Sequence, residues 1–373
     1  MAEAALRARW QTELLARRGR VRDLMDRTGC TVGLVFGCDG HAEAFRYLTN
    51  FAPVLGDSWL IVGATEERCI LTFQWQIVEA RALSGIERWE AAFDPVPLVL
   101  DALREAGARR IGMAGHDRMP APAHQALVSG LPGVEFADLG QALAGLRRKK
   151  SPFEVERLRA AARLTDTMLD AARAKTRAGC SEAELAAELS LIPWRQGARC
   201  AFETTVVSGV DDPVPIRRPT GRLIAPGDTV MVDLGAEVDG YQADATRTFV
   251  VGTPTPAQRR AWDAVRRAYD AAMALARPGV PCQELHLAAA RVIHEAGFSL
   301  AHRVGHGIGL ATSFEWPSLD TERAPLEPGM ALCVEPGIYA PGIGNMKLED
   351  DVLITESGCD LLTRSDRGLE ACR

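Results

Sequence analysis

Two stretches of this chain carry acidic residues at spacings that invite chemistry. The first, Asp228 to Thr248, reads DTVMVDLGAEVDGYQADATRT and holds Asp233 and Asp244. The second, Ala331 to Thr355, reads ALCVEPGIYAPGIGNMKLEDDVLIT and holds Glu335 and Glu349. In the first, Val230, Val232 and Leu234 alternate with Met231, Asp233 and Gly235, the period of a strand with Asp233 on one face. The midpoint between Asp233 and Asp244 falls between Val238 and Asp239, inside a turn-like Val238-Asp239-Gly240. A hairpin centred there sets the two aspartates opposite each other, with Cβ atoms ~4.5–5.5 Å apart. Glu335 and Glu349 flank Gly342 symmetrically in the turn Ala340-Pro341-Gly342-Ile343-Gly344, which predicts the same geometry.

Like charges ~4 Å apart repel by about 4 kcal/mol at an effective dielectric near 20, so two such pairs in one place call for a cation between them. His306, in the run Gly305-His306-Gly307-Ile308-Gly309, adds an imidazole. Four carboxylates and one imidazole suit one or two borderline divalent ions, Mn, Fe, Co or Zn; calcium has no need of the histidine. Any one of these residues alone reads as a solvated side chain or a loop histidine, and only the set points to metal.

The strings VDLGAEVDGYQADATRTF, HRVGHGIGL, VEPGIY and KLEDDVLIT resemble, in order and spacing, the metal-dependent pita-bread hydrolases: prolidase, aminopeptidase P, methionine aminopeptidase and their metal-free relative creatinase. The resemblance implies two divalent ions, with Asp233 chelating one, Asp244 and Glu349 bridging both, and His306 and Glu335 holding the second. It implies a metal-activated water and hydrolysis of a C–N bond, with Glu335 handling the proton. His302 matches the histidine lining the substrate pocket of prolidase-like members and is assigned a catalytic and substrate-binding role; Tyr241 and Arg247 match positions near the metals. The expected substrate is a dipeptide or small molecule, and the expected assembly a homodimer.

Two departures bear on substrate. Peptidase members carry a histidine in a pattern like SG-x6-H, where this chain runs from Ser208-Gly209 to Ile216. They also carry HE-x-P after GHGIGL, where this chain reads Ala311-Thr312-Ser313-Phe314-Glu315-Trp316-Pro317, one residue longer and with Phe or Ser in the histidine position. In a lesser change, Lys347 stands where the family often has arginine. Losing an oxyanion-type donor lowers rate by ~10²–10³, so the alternative to an Xaa-Pro peptidase is a creatinase-like or ectoine-hydrolase-like enzyme acting on a non-peptide C–N bond, or a lyase. A catalytically silent binding module is the third reading, disfavoured by the complete ligand set. Arg217 and Arg218 are candidates to grip a substrate carboxylate, Asp211 and Asp212 a cationic nitrogen, and Glu315 and Trp316 stand in the second altered loop.

The elements that must position these residues follow from the rest of the chain. Its 373 residues, 47% hydrophobic and 25% charged, are enough for two domains. A formal net charge of −6 without a basic tail excludes a nucleic-acid binder. The charged N-terminal 27 residues and the lack of long apolar runs speak against a signal peptide or a membrane span, and nine scattered cysteines without a C-x-x-C pair suit a reducing cytoplasm. Cys333, two residues before Glu335, shares its face and is expected to be a core filler.

A helix over 10–27 and strands near 32–36, 59–62, 69–73 and 110–113, with helices near 96–106 and 122–129, predict a smaller α/β creatinase-type domain over 1–148. Tyr47-Leu48-Thr49-Asn50-Phe51 resembles the family's YLTG-F segment. The basic run Arg147-Arg148-Lys149-Lys150 before Ser151-Pro152 reads as a linker opening a helix. From there the predicted order is helix, helix, hairpin, repeated once: helices near 153–176 and 181–194, hairpin 228–250, helices near 256–276 and 282–296, hairpin 331–355. The fold class expected is α+β, with the pita-bread catalytic domain over 149–373.

Overall fold

The computed structural model describes residues 2–311 and 315–370. The chain divides into two compact units, Met1–Arg147 and Arg148–Arg373. The first begins with a helix, Ala2–Thr28, and is built on a six-stranded mixed sheet in the order Arg88–Ala91, Glu67–Leu71, Asp57–Val62, Val32–Cys38, Arg110–Ala114, Glu135–Asp138. Strand Val32–Cys38 pairs antiparallel with Asp57–Val62 and parallel with Arg110–Ala114. Its core joins Val32, Leu34, Phe36, Trp59 and Ile70 to Val99 and Leu103 of helix Val96–Glu105. No helix among the described residues is long and apolar enough to cross a membrane.

The second unit repeats one plan. Helices Pro152–Lys175 and Glu182–Arg195 precede strands Thr205–Ser208, Thr229–Leu234 and Ala245–Val250, which form one sheet. Helices Pro256–Met273 and Cys282–Glu295 precede a five-stranded sheet that includes Gly305–Gly307, Ala331–Val334 and Asp350–Ile354. Both long helices start the same way: Ser151 and Thr255 accept from the backbone N–H of Glu154 and Gln258, whose side chains return the bond, with proline in the first turn. The repetition extends to single hydrogen bonds. The N–H groups of Gly179, Glu182 and Ala183 donate to Ile224, Arg222 and Thr220; those of Gly279, Cys282 and Gln283 donate to Leu326, Ala324 and Glu322.

Strand alternation sorts side chains between the two faces of each sheet. Val230, Val232 and Leu234 pack with Leu164, Met168 and Leu189 of the first helix pair. Leu332, Val334, Val352 and Ile354 pack with Trp262, Val265 and Ile293 of the second. The odd-numbered positions between them, Asp233, Cys333, Glu335, Glu349 and Asp351, are thereby turned away from both helical layers and stay buried.

The two hairpins differ in register. In the second, Gly337 pairs with Lys347 and Ala340 with Gly344, and the outer strands keep that register, with Val334 opposite Asp350. Gly342 is the centre, as the sequence predicts. In the first, Asp233 pairs with Thr246, and Val238 with Tyr241. Asp233 and Asp244 are therefore diagonal neighbours on one face and not directly opposed, which corrects the expected pairing. The cause is the two-residue turn Asp239-Gly240, both at positive φ (51° and 91°), which moves the centre by one residue.

Candidate metal centre

His306 lies on the short strand Gly305–Gly307, opposite Ser318 on one side and Cys333 on the other. Its glycine neighbours are required by closeness: a Cβ at position 305 would lie 2.2 Å from the Cys333 carbonyl, and one at 307 would lie 2.3 Å from that of Trp316. The imidazole Nδ1 is 2.9 Å from the Gly307 carbonyl, which only accepts, so Nδ1 carries the proton. Nε2 is left with its lone pair facing Asp244 Oδ2 and Glu335 Oε1, each 3.8 Å away. This is the tautomer a metal ligand requires.

Asp233, Asp244, His306, Glu335 and Lys347 line one cavity of about 550 Å³, together with His302, Tyr339, Phe202, Ile216 and Arg218. Glu349 joins them from behind through Lys347, and through Thr246, whose hydroxyl donates to Glu349 Oε2 at 2.6 Å. All five sequence-predicted ligands thus meet. The Lys347 ammonium is in their midst, 2.9 Å from Asp233 Oδ2, 2.9 Å from Glu335 Oε2 and 3.0 Å from Glu349 Oε2.

Burial, then the neighbouring Glu349 and Asp233, push the Asp244 carboxyl well above its ordinary range. Burial also raises Glu335, but Lys347, His306 and His302 outweigh it and hold that carboxyl below its usual value. Burial alone would lower the Lys347 ammonium; Asp233, Glu335 and Glu349 instead hold it well above normal. The cluster is therefore a concentration of negative charge stabilised in part by one internal cation.

The donor set fits a divalent ion. Asp244, His306, Cys333 and Glu349 each place a ligand atom within 4.8 Å of all the others. Glu349 Oε1 is buried and has no hydrogen-bond partner among the described residues. A buried carboxylate oxygen left open, beside an imidazole lone pair, is what a bound cation would satisfy. The Cys333 sulfur lies within this group because its strand aligns it with His306 and Asp351 in one row; it is fully buried, and burial and the nearby carboxylates push its thiol well above its ordinary range. Asp351, whose carboxylate accepts from the Asp244 N–H at 2.9 Å, supports the cluster and was not singled out from sequence.

His302 stands where expected. Its Nδ1 donates to its neighbour's carbonyl, at Arg303, over 2.6 Å, and its Nε2 accepts from the Tyr339 hydroxyl over 2.7 Å. Tyr241 and Arg247 do not reach the cavity. Tyr241 is fully buried and its hydroxyl bonds Glu154 at 3.0 Å. Arg247 is on the far side of its strand, opposite Val232, where it pairs with Asp350 at 2.7 Å and donates to the Glu349 carbonyl at 2.6 Å. It ties the two hairpins together and does not line the cavity. Arg217 lines the cavity, as expected, with its guanidinium held by both oxygens of buried Glu182, at 2.7 and 2.6 Å.

Arg218 also lines the cavity, with its side chain 86% exposed, beside Glu203 at 3.1 Å. Glu315 is buried against the Leu310 N–H, and Trp316 is partly exposed; neither lines the cavity. Asp211 and Asp212 are outside the lining as well. Ser313 and Phe314 lie outside the described residues, as does Cys372; the eight described cysteines are free.

The chain is similar to known proteins in sequence and in fold. The profile of metallopeptidase family M24 matches residues 156–356, more than half of the chain, and that of the creatinase/prolidase N-terminal domain matches 17–149. The chain is 32% identical over 284 residues to the Xaa-Pro dipeptidase of Lactobacillus helveticus, covering 74% of this chain and 77% of that one. It is 36% identical over 239 residues to the Xaa-Pro dipeptidase of Pyrococcus furiosus, covering 63% and 68%. The solved Xaa-Pro dipeptidase from Bacillus anthracis superposes with a TM-score of 0.86 at 29% identity, covering 96% of this chain and 99% of that one. With these relatives and this fold, the chain belongs to metallopeptidase family M24: a metal-dependent hydrolase with a pita-bread domain preceded by a creatinase-type domain.

Proposed function

We propose that the chain hydrolyses the amide bond of a short substrate of the Xaa-Pro dipeptide type. Asp233, Asp244, His306, Glu335 and Glu349 are the residues offered to divalent metal, of which Mn, Co, Zn and Fe suit the donors, within a catalytic domain over 149–373 that follows a creatinase-like domain over 1–148. The observation that carries the reading is the His306 Nε2 lone pair, held by the Gly307 carbonyl and turned onto Asp244 and Glu335 at the floor of the cavity. Metal bound there supplies an activated water at neutral pH and polarises the scissile carbonyl.

The chain's own residues do the rest. Glu335, kept ionised by the cations around it, accepts a proton from water and returns it to the leaving nitrogen. Tyr339 fixes the His302 ring at the wall, where it can orient the substrate. Phe202, Pro215 and Ile216 form an apolar side suited to a proline ring, and exposed Arg218 is placed for the substrate carboxylate. A cavity of about 550 Å³ is of dipeptide scale.

Ile216 favours a second reading, hydrolysis or elimination at a non-peptide C–N bond. It lines the cavity at the position where the family's peptidases have a histidine, so one donor toward a tetrahedral intermediate is missing. Assays of the Mn-, Co- and Zn-supplemented protein on Ala-Pro, Gly-Pro and a panel of small amides separate the two. Release of proline is the expected result. Turnover confined to non-peptide amides would replace the first reading with the second.

A further inference from the structure

We propose that the Lys347 ammonium occupies the place of one of the two metal ions, so that this chain holds a single divalent ion tightly, on the His306 side of the cluster. The inference rests on the metal-hydrolase reading above and refines it.

The division of the carboxylate oxygens carries it. Glu335 turns Oε2 to Lys347 at 2.9 Å and Oε1 to His306 at 3.8 Å. Glu349 turns Oε2 to Lys347 at 3.0 Å and leaves Oε1 buried without a partner among the described residues. Asp233 gives Oδ2 to Lys347 at 2.9 Å, whereas Asp244 gives Oδ2 to the His306 side at 3.8 Å. Each glutamate therefore gives one oxygen to the Lys347 nitrogen and keeps the other free of it. The ammonium sits with Asp233; the donors left to a divalent ion are those grouped with His306 and Asp244.

Lys347 is suited to stay there. An ammonium has three N–H donors, and its three carboxylate contacts match them in number. Its backbone is fixed on both sides by Thr248, whose hydroxyl accepts from the Lys347 N–H and donates to the Lys347 carbonyl, each at 3.0 Å. The side chain is only 7% exposed, so withdrawing the charge would strip it of three carboxylates without returning it to water. Arginine at this position would offer a planar fork on a longer stem; lysine presents a compact point charge, the closer stand-in for an ion.

Charge agrees. Fully ionised, as metal ligands would be, the four carboxylates carry four negative charges; the ammonium and one divalent ion would offset three of them. A second divalent ion beside Asp233 would sit against the ammonium and reverse the sign of the cluster.

The test counts ions in the whole protein. Purified wild-type chain is equilibrated with Mn²⁺, freed of loose metal and analysed by inductively coupled plasma mass spectrometry, with electron paramagnetic resonance on the same samples. One ion per chain and an isolated-ion hyperfine pattern are expected. Two tightly held ions with an exchange-coupled spectrum would overturn the inference and leave the hydrolase reading intact; no bound ion would overturn both. In Lys347→Met the stoichiometry is expected to rise to two, the second ion binding at least about 100-fold more tightly than to wild type. A folded Lys347→Met protein that still takes only one would also refute the proposal. If the variant does not fold, the wild-type count decides alone.

Discussion

The two halves of the catalytic unit are the same device assembled with different tolerances. Each opens its second helix by hydrogen bonds to a returning loop at matched positions, Glu182 to Arg222 and Cys282 to Ala324. Each then sends a hairpin of acids toward the other. Yet the first hairpin turns on Asp239-Gly240 and leaves its aspartates diagonal, while the second turns on Gly342 in the register that opposes its glutamates. Both bring their acids to one place, so face parity and not direct opposition is what the site requires. The halves also differ chemically. Buried Glu182 pins Ser208, Arg217 and Thr220, and so shapes the loop that carries Ile216 and Arg218 to the cavity. Its counterpart Cys282 is a core residue whose thiol burial pushes up to about 11.

The largest expected effect separates the His306 side of the cluster, which both hairpins build, from the Lys347 side. Glu349→Gln should remove the bound ion and lower metal-dependent turnover at least about 100-fold. Asp233→Asn, whose oxygen faces Lys347, should leave the ion in place. Metal content and turnover of the two variants check this; equal loss of metal would erase the distinction drawn between the two sides.

Next comes the tie between the halves. Arg247→Ala leaves buried Asp350 short of a partner and the Glu349 carbonyl short of a donor, and should cost about 3 kcal/mol or more in unfolding by denaturant. A loss below about 1 kcal/mol would mean that Arg247 contributes no more than a surface charge does.

A comparable effect is confined to acid. Burial raises Glu182, but Arg217, Ser208 and Thr220 outweigh it and bring the carboxyl from its ordinary 4.5 down to about 2. A depressed carboxyl contributes stability that is complete above its unfolded value and is lost as pH falls toward the folded one. Here about 3 kcal/mol should disappear between roughly pH 4.5 and pH 2. Glu182→Gln should flatten that part of the stability profile. An unchanged slope in the variant would show that other groups set it.

Much of this was legible before the fold. Helix starts were written in Ser151-Pro152 and Thr255-Pro256, and the second hairpin in the symmetry about Gly342. The first register was misjudged because Asp-Gly, the stronger turn signal, lies one residue beyond the midpoint of the two aspartates. Arg247 was misplaced although parity already put it on the opposite face from Asp244. The tie of Arg217 to Glu182 could not be read, because the two are 35 residues apart and become adjacent only when the loop folds back. Lys347 was visible only as an exchange for arginine; that it reaches three carboxylates from both hairpins depends on how the two sheets meet.

The most direct test of the convergence of these residues on metal is an anomalous-difference map from crystals of the manganese- or cobalt-loaded protein. The account predicts a strong peak within about 2.0–2.3 Å of His306 Nε2 and of carboxylate oxygens from Asp244 and Glu349. An empty map at that position in a loaded crystal, with metal elsewhere or nowhere, would contradict it.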